Sequence, residues 1–206
     1  MNEKKKKIFI TICIAIIVIC IVVMAFMNQK TEVLDKKSKM LDDALTETES
    51  GQTVETEYTR LEGEDFFFKV PTSFKSLDNQ TISQKYTSNI PDMVFANKDG
   101  TINFIISKSK KNISDDKIKE LKDVMVNKLK KKYKILDTNI HKVDGYTVGQ
   151  IKMISNEESN RTYNNLAFFA YNEKLVIINF NCTKDLMKEW KGVGDFLIES
   201  LFFKTE

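Results

Sequence analysis

The chain of 206 residues contains one histidine, one tryptophan, two prolines and three cysteines. A lone histidine leaves a hydrolase triad, a histidine-rich zinc site or imidazole acid–base chemistry with only His141 to rest on. It sits between Ile140 and Lys142 and reads as an ordinary sheet residue. Cys13 and Cys20 fall inside an apolar run, so Cys182 stands alone outside it, without a partner for an intramolecular disulfide. It shares a strand face with Val176, Ile178 and Phe180, the setting of a core cysteine. No glycine-rich phosphate loop is present. Asp115 and Asp116 suit the first turn of a helix better than a metal pair. The Glu157–Glu158 loop lacks the alternating acids and glycine of a calcium site. The expectation is therefore no catalytic residue, no cofactor, no metal and no enzymatic activity. A thiol enzyme or hydrolase built on His141 and Cys182 is the remote alternative.

Charge is also scarce in the aggregate. The formal net charge is +3, arranged as +3 through Met27, −3 over residues 28–60 and +3 over residues 61–206. None of these blocks has the basicity of a nucleic-acid-binding domain, so no nucleic-acid partner is expected.

What is present begins with Lys4, Lys5, Lys6 and Lys7, which run directly into an uncharged apolar stretch from Ile8 to Met27. Twenty residues at helical rise span about 30 Å, the thickness of a bilayer's hydrocarbon core. The basic cluster is expected to stay in the cytoplasm and the rest of the chain to lie outside. Val23 and Ala25 offer small residues for cleavage after Ala25. The length of the run and the lack of a polar segment before that point favour an uncleaved single-pass anchor. Residues 1–7 are then a cytoplasmic basic segment, 8–27 a transmembrane anchor, 28–60 a polar linker and 61–206 an extracytoplasmic domain. Abundant lysine, asparagine and isoleucine read as the mark of an AT-rich genome, and an extracytoplasmic domain of about 145 residues, large enough to do without a disulfide, fits the outer face of a monoderm bacterium's cell membrane.

Within that domain, Phe66, Phe68 and Val70 alternate with Phe67 and Lys69, predicting a strand ended by Pro71. Residues 72–91 read as irregular. Met93–Ala96 and Thr101–Ser107 flank Asn97-Lys98-Asp99-Gly100, a hairpin turn. Ser114 reads as the N-cap of a helix carrying Ile118, Leu121, Met125 and Leu129 on one face. Strands follow over 133–142, 146–154, 162–171 and 174–182, joined by connections short enough for antiparallel hairpins. A second helix, capped by Thr183, carries Leu186, Trp190, Val193 and Leu197, with Gly192 and Gly194 marking a bend or a close approach. The predicted fold is α+β: an antiparallel sheet with helices on both faces, an α/β/α sandwich, preceded by one transmembrane helix.

Phe66-Phe67-Phe68-Lys69-Val70-Pro71, the Val143-Asp144-Gly145-Tyr146 turn, the Tyr171–Cys182 hairpin and the closing Phe196-Leu197-Ile198-Glu199-Ser200-Leu201-Phe202-Phe203 together resemble the PsbP-like family. The resemblance spans residues 61–206 as an order of elements and implies the same sandwich. That family includes a photosystem II extrinsic subunit, a nuclear-import factor that binds a small GTPase, and bacterial surface proteins. The resemblance thus implies an accessory or binding role, and it assigns no binding residues to this chain.

Two surface features stand out. Alternation sends Phe67 opposite to its neighbours, so either a helix covers it or it belongs to an exposed partner patch. Lys130, Lys131 and Lys132 crowd the end of the first helix. There they compensate the helix dipole, or they contact anionic lipid or wall polymer. The expected role is a membrane-anchored, non-catalytic accessory module with a protein partner at the cell surface. The alternative is a sensor or carrier for a small ligand or wall polymer.

Overall fold

The computed structural model describes residues 45–156 and 161–204. The anchor from Ile8 to Met27, the lysines Lys4–Lys7, linker residues 28–44 and the Glu157–Glu158 loop lie outside the described residues. Among the described residues, no helix is long and apolar enough to cross a membrane.

The elements run β1 (Leu45–Glu47), β2 (Thr53–Arg60), β3 (Phe66–Pro71), β4 (Lys75–Ser76), α1 (Asn79–Lys85), β5 (Met93–Ala96) and β6 (Ile102–Asn112). They continue with a 3-10 turn (Asp115–Lys117), α2 (Ile118–Leu129), β7 (Tyr133–Val143), β8 (Tyr146–Ser155), β9 (Thr162–Tyr171) and β10 (Lys174–Thr183). A second 3-10 turn (Lys184–Leu186), α3 (Met187–Glu199) and β11 (Phe202–Phe203) complete the order. Strands form two antiparallel sheets, a four-stranded one in the order β1-β2-β3-β11 and a seven-stranded one in the order β4-β5-β6-β10-β9-β8-β7.

This corrects the predicted fold class. The described residues are mostly strand, and the three helices have 7, 12 and 13 residues. They do not form a helix-flanked α/β/α sandwich. The decisive element is β3, expected to open a single sheet. It pairs instead with β2 and β11 in a separate sheet, and its Phe66, Phe68 and Val70 enter the main core beside Phe104, Phe169 and Phe180. A second sheet thus takes much of the surface that a helix was expected to cover. Neither partner of β3 was anticipated. Thr53–Arg60 has linker composition, yet its period of two buries Val54 and Thr56 and exposes Thr53, Glu55 and Glu57. The folded unit consequently begins at Leu45, inside the stretch read as linker.

The main core lies between the large sheet, the small sheet and α3, and holds Val193, Leu197 and Phe203. A smaller core on the opposite face of the large sheet joins Ile118 of α2 to Ile151, Leu166 and Phe168. Both faces of β9 are buried, as its apolar run predicts. Ser114 and Thr183 take extended N-cap conformations but make no capping side-chain bond. Asp115 works differently. Its carboxylate accepts from the Thr147 N–H at 2.6 Å and from Lys142 Nζ at 3.0 Å, pinning the start of α2 to β8 and β7. Region 72–91 is also more ordered than expected, since Asp78 caps α1 by accepting from Thr81 N–H at 2.7 Å.

Candidate binding surfaces

Phe67 sits in register with Arg60 of β2 and Phe202 of β11. Residues directly opposite in an antiparallel pair project to the same side, so the three side chains meet. Phe67 stacks on Phe202 with centroids 4.9 Å apart and planes 12° apart, and Phe202 meets Tyr58 edge-on at 5.3 Å. The Arg60 guanidinium lies 5.8 Å from the Phe67 ring centre and is paired with Asp65 at 3.6 Å. Tyr58, Phe67 and Phe202 are all half-buried. Lys69, two residues along, is only 2% exposed. Its ammonium lies 5.1 Å from the Tyr58 ring centre and 5.0 Å from that of Phe196. Of the two expectations for Phe67, a covering helix is not what the structure shows. A neighbouring strand's aromatic ring, not a helix, lies over it, and the pair remains partly open to solvent.

Lys130, Lys131 and Lys132 are exposed in the turn between α2 and β7. Lys130 Nζ donates to Asn127 Oδ1 at 2.8 Å. The turn is not brought together with Phe67. Its helix packs on one face of the large sheet, while β3 packs on the other.

A third group was not legible in the sequence. Asn165, fully buried, faces the main-core side of β9. Its Nδ2 donates to Asp195 Oδ1 of α3 at 2.8 Å, and its Oδ1 accepts from Gln150 Nε2 at 2.9 Å. Lys152 Nζ closes the group on Asp195 Oδ2 at 2.9 Å. Next on that face of β9, Tyr163 is fully buried with its hydroxyl near Asp195. Burial first, and then the negative charge of Asp195, raise its pKa above the usual phenol value. The only sequence signal was the placement of Asn165 and Gln150 at inward register positions of otherwise apolar strands.

His141 and Cys182 are not brought together. His141 is opposite Val148 on β8, while Cys182 is opposite Tyr163, which is opposite Ile154. Three strand spacings and six residues of offset separate them by on the order of 20 Å. Burial pushes the Cys182 thiol up to about 12, far from a thiolate at neutral pH. Among the described residues, no three His, Cys, Asp or Glu side chains cluster as metal ligands.

This two-sheet arrangement is a PsbP-like fold. Over 72% of the chain it superposes on 92% of the cyanobacterial PsbP, CyanoP, of Synechocystis sp. PCC 6803, with a TM-score of 0.54 and 13% identity. The protein Mog1, solved as a point mutant, matches 72% of the chain with 95% of its own length, a TM-score of 0.50 and 15% identity. LpqN, described as involved in cell envelope biogenesis of Mycobacterium tuberculosis, matches 81% of the chain with 95% of its own length, a TM-score of 0.50 and 11% identity. At these identities the likeness is one of fold. No protein-family model matches the chain, and no curated sequence does.

Proposed function

We propose that this protein is a membrane-tethered, extracytoplasmic, non-catalytic module that docks a protein partner at the cell surface. The docking face is formed by Tyr58, Phe67, Phe202 and Arg60. The observation that carries this reading is the stacked Phe67–Phe202 pair, half-open to solvent beside an arginine. Aromatic rings and arginine are enriched at protein interfaces and dominate their energetics. The PsbP-like fold and the part of LpqN in cell envelope biogenesis are consistent with such a module. The sequence of the first 27 residues supports its place on the outer face of the membrane.

The test is crosslinking of the full-length protein in intact cells, followed by identification of the co-purified proteins. One abundant partner is expected with the native chain and lost with Phe67→Ala or Phe202→Ala. Recovery of the protein alone from the native chain would overturn the reading.

A further inference from the structure

The large sheet ends in β4, of two residues, and β7, of eleven. Only β7 is long enough to accept another strand. A bulge at Leu136 disrupts its first part and leaves Asp137–Val143 as a regular edge. Thr138, Ile140 and Val143 give that segment strand-forming character. An unblocked edge of this kind pairs with other chains. Lysine often guards such edges, but Lys142 is turned onto the sheet face, where its Nζ donates to Asp115 Oδ2 at 3.0 Å and to Thr147 Oγ1 at 2.7 Å.

Register shows which backbone groups face outward. Val143 and Tyr146 close the two-residue turn Asp144-Gly145, whose φ angles of 48° and 90° make it type I′. Such a closing pair exchanges both hydrogen bonds, and bonded and non-bonded pairs alternate from there. His141, Asn139 and Asp137 therefore bond to β8, while Lys142, Ile140 and Thr138 turn their N–H groups away from it. Two of these three outward groups are occupied. Thr138 N–H donates to Asp137 Oδ1 at 2.9 Å, and Ile140 N–H donates to Asn139 Oδ1 at 2.8 Å.

Local bonds of this type ordinarily favour a turn over a strand, and aspartate and asparagine are depleted in strands. Here the ladder to β8 runs on unbroken through Asp137↔Lys152 and Asn139↔Gln150. The bonds thus occupy the free side of β7 without ending it. The other open stretch of the large sheet has the same device. β5 covers β6 only as far as Ile106, and the next N–H on that side, from Lys108, donates to Asp92 Oδ2 at 2.5 Å.

We infer that Asp137 and Asn139 are edge caps, which occupy the outward N–H groups of β7 and keep it from pairing with β7 of a second copy of this chain. An antiparallel pair of two β7 strands centred on Ile140 would set Ile140 against its own counterpart and Thr138 against a second Lys142. No like charges oppose each other in that register, so charge alone does not forbid it. The inference is independent of the docking reading above.

The experiment uses the full chain in detergent micelles, with sedimentation for mass and amide hydrogen exchange for the edge. Over a hundredfold range of concentration the native chain should keep a constant mass. Asp137→Ala/Asn139→Ala should rise toward twice that mass, with exchange at Thr138 and Ile140 slowed tenfold or more at the upper end. The swap Asp137→Asn/Asn139→Asp keeps both acceptors and should behave as the native chain. Adding Ile140→Pro to the alanine pair removes an outward N–H without touching the bonds to β8, and should restore the native mass. An alanine pair that stays monomeric would overturn the inference. So would a swap that associates like the alanine pair, or a native chain whose Thr138 and Ile140 amides are already protected by association. If the alanine pair does not fold, Asn139→Ala alone, which frees only Ile140 N–H, decides by the same readouts.

Discussion

Gly194 of α3 lies against the ring of Phe180 in β10, so closely that a Cβ at position 194 would fall 2.3 Å from Phe180 Cδ1. The helix approaches the large sheet there at a distance that no side chain permits. The neighbouring Asp195 reaches Asn165 and Lys152 from the same helix. The main core and the buried polar group are thus set by one close contact.

That contact separates two glycines of the same helix. Gly194→Ala should destabilise by about 1–3 kcal/mol, because the Phe180 ring is packed on all sides and must move. Gly192 meets nothing within 4 Å, so Gly192→Ala should stabilise by about 0.5–1 kcal/mol through helix propensity. Urea unfolding of the two variants should give shifts of opposite sign. Equal shifts would contradict the packing.

Asn165→Ala should cost about 1–3 kcal/mol, since it strips hydrogen bonds from Asp195 and Gln150 in a buried setting. Adding Asp195→Ala should cost less than the sum of the two single changes, because both remove the same bond. A double-mutant cycle by denaturation measures this coupling, and strict additivity would dissolve the group.

Asp115 sets an acid limit on stability. Partial burial disfavours its charge, but bonds from the Thr147 hydroxyl and N–H and from Lys142 outweigh that effect and hold the carboxyl below its ordinary value. A depressed folded pKa stabilises above the unfolded value, near 4, and is lost as pH falls through the folded one. Asp115→Asn should therefore lower stability at pH 7 and narrow its gap to the native chain below about pH 4. A constant gap across that range would remove Asp115 from the acid transition.

Cys182 should resist thiol reagents in the folded protein at pH 8 and react fully in denaturant, since it is buried and its thiol is pushed up to about 12. His141→Ala should leave that rate unchanged, given the separation of the two residues across the sheet. A fast folded-state reaction slowed by this substitution would revive the pair as chemistry.

The hairpins β5–β6, β7–β8 and β9–β10 and the helices α2 and α3 were legible because local signals define them: short turns, alternation and a helical stripe. Thr53–Arg60 was not, because threonine and glutamate mask a period of two that only burial of Val54 and Thr56 reveals. Phe202–Phe203 was not legible as a strand, since two residues carry no period. It becomes a strand by pairing with Phe67 and Phe66 and by the bond from Phe203 N–H to Asp144 Oδ2 at 3.0 Å. Phe67 could be singled out by alternation, but its stacking partner lies 135 residues later in the chain.

By itself the sequence determined the apolar run and its basic flank, the order of most strands and helices, and the scarcity of histidine and cysteine. All are local properties of composition and period. Tertiary structure alone decided that β3 belongs to a second sheet, that Asn165 meets Asp195, and that His141 and Cys182 stay apart. Those outcomes depend on contacts between distant segments, and pairing register and close packing select them only after the chain has folded.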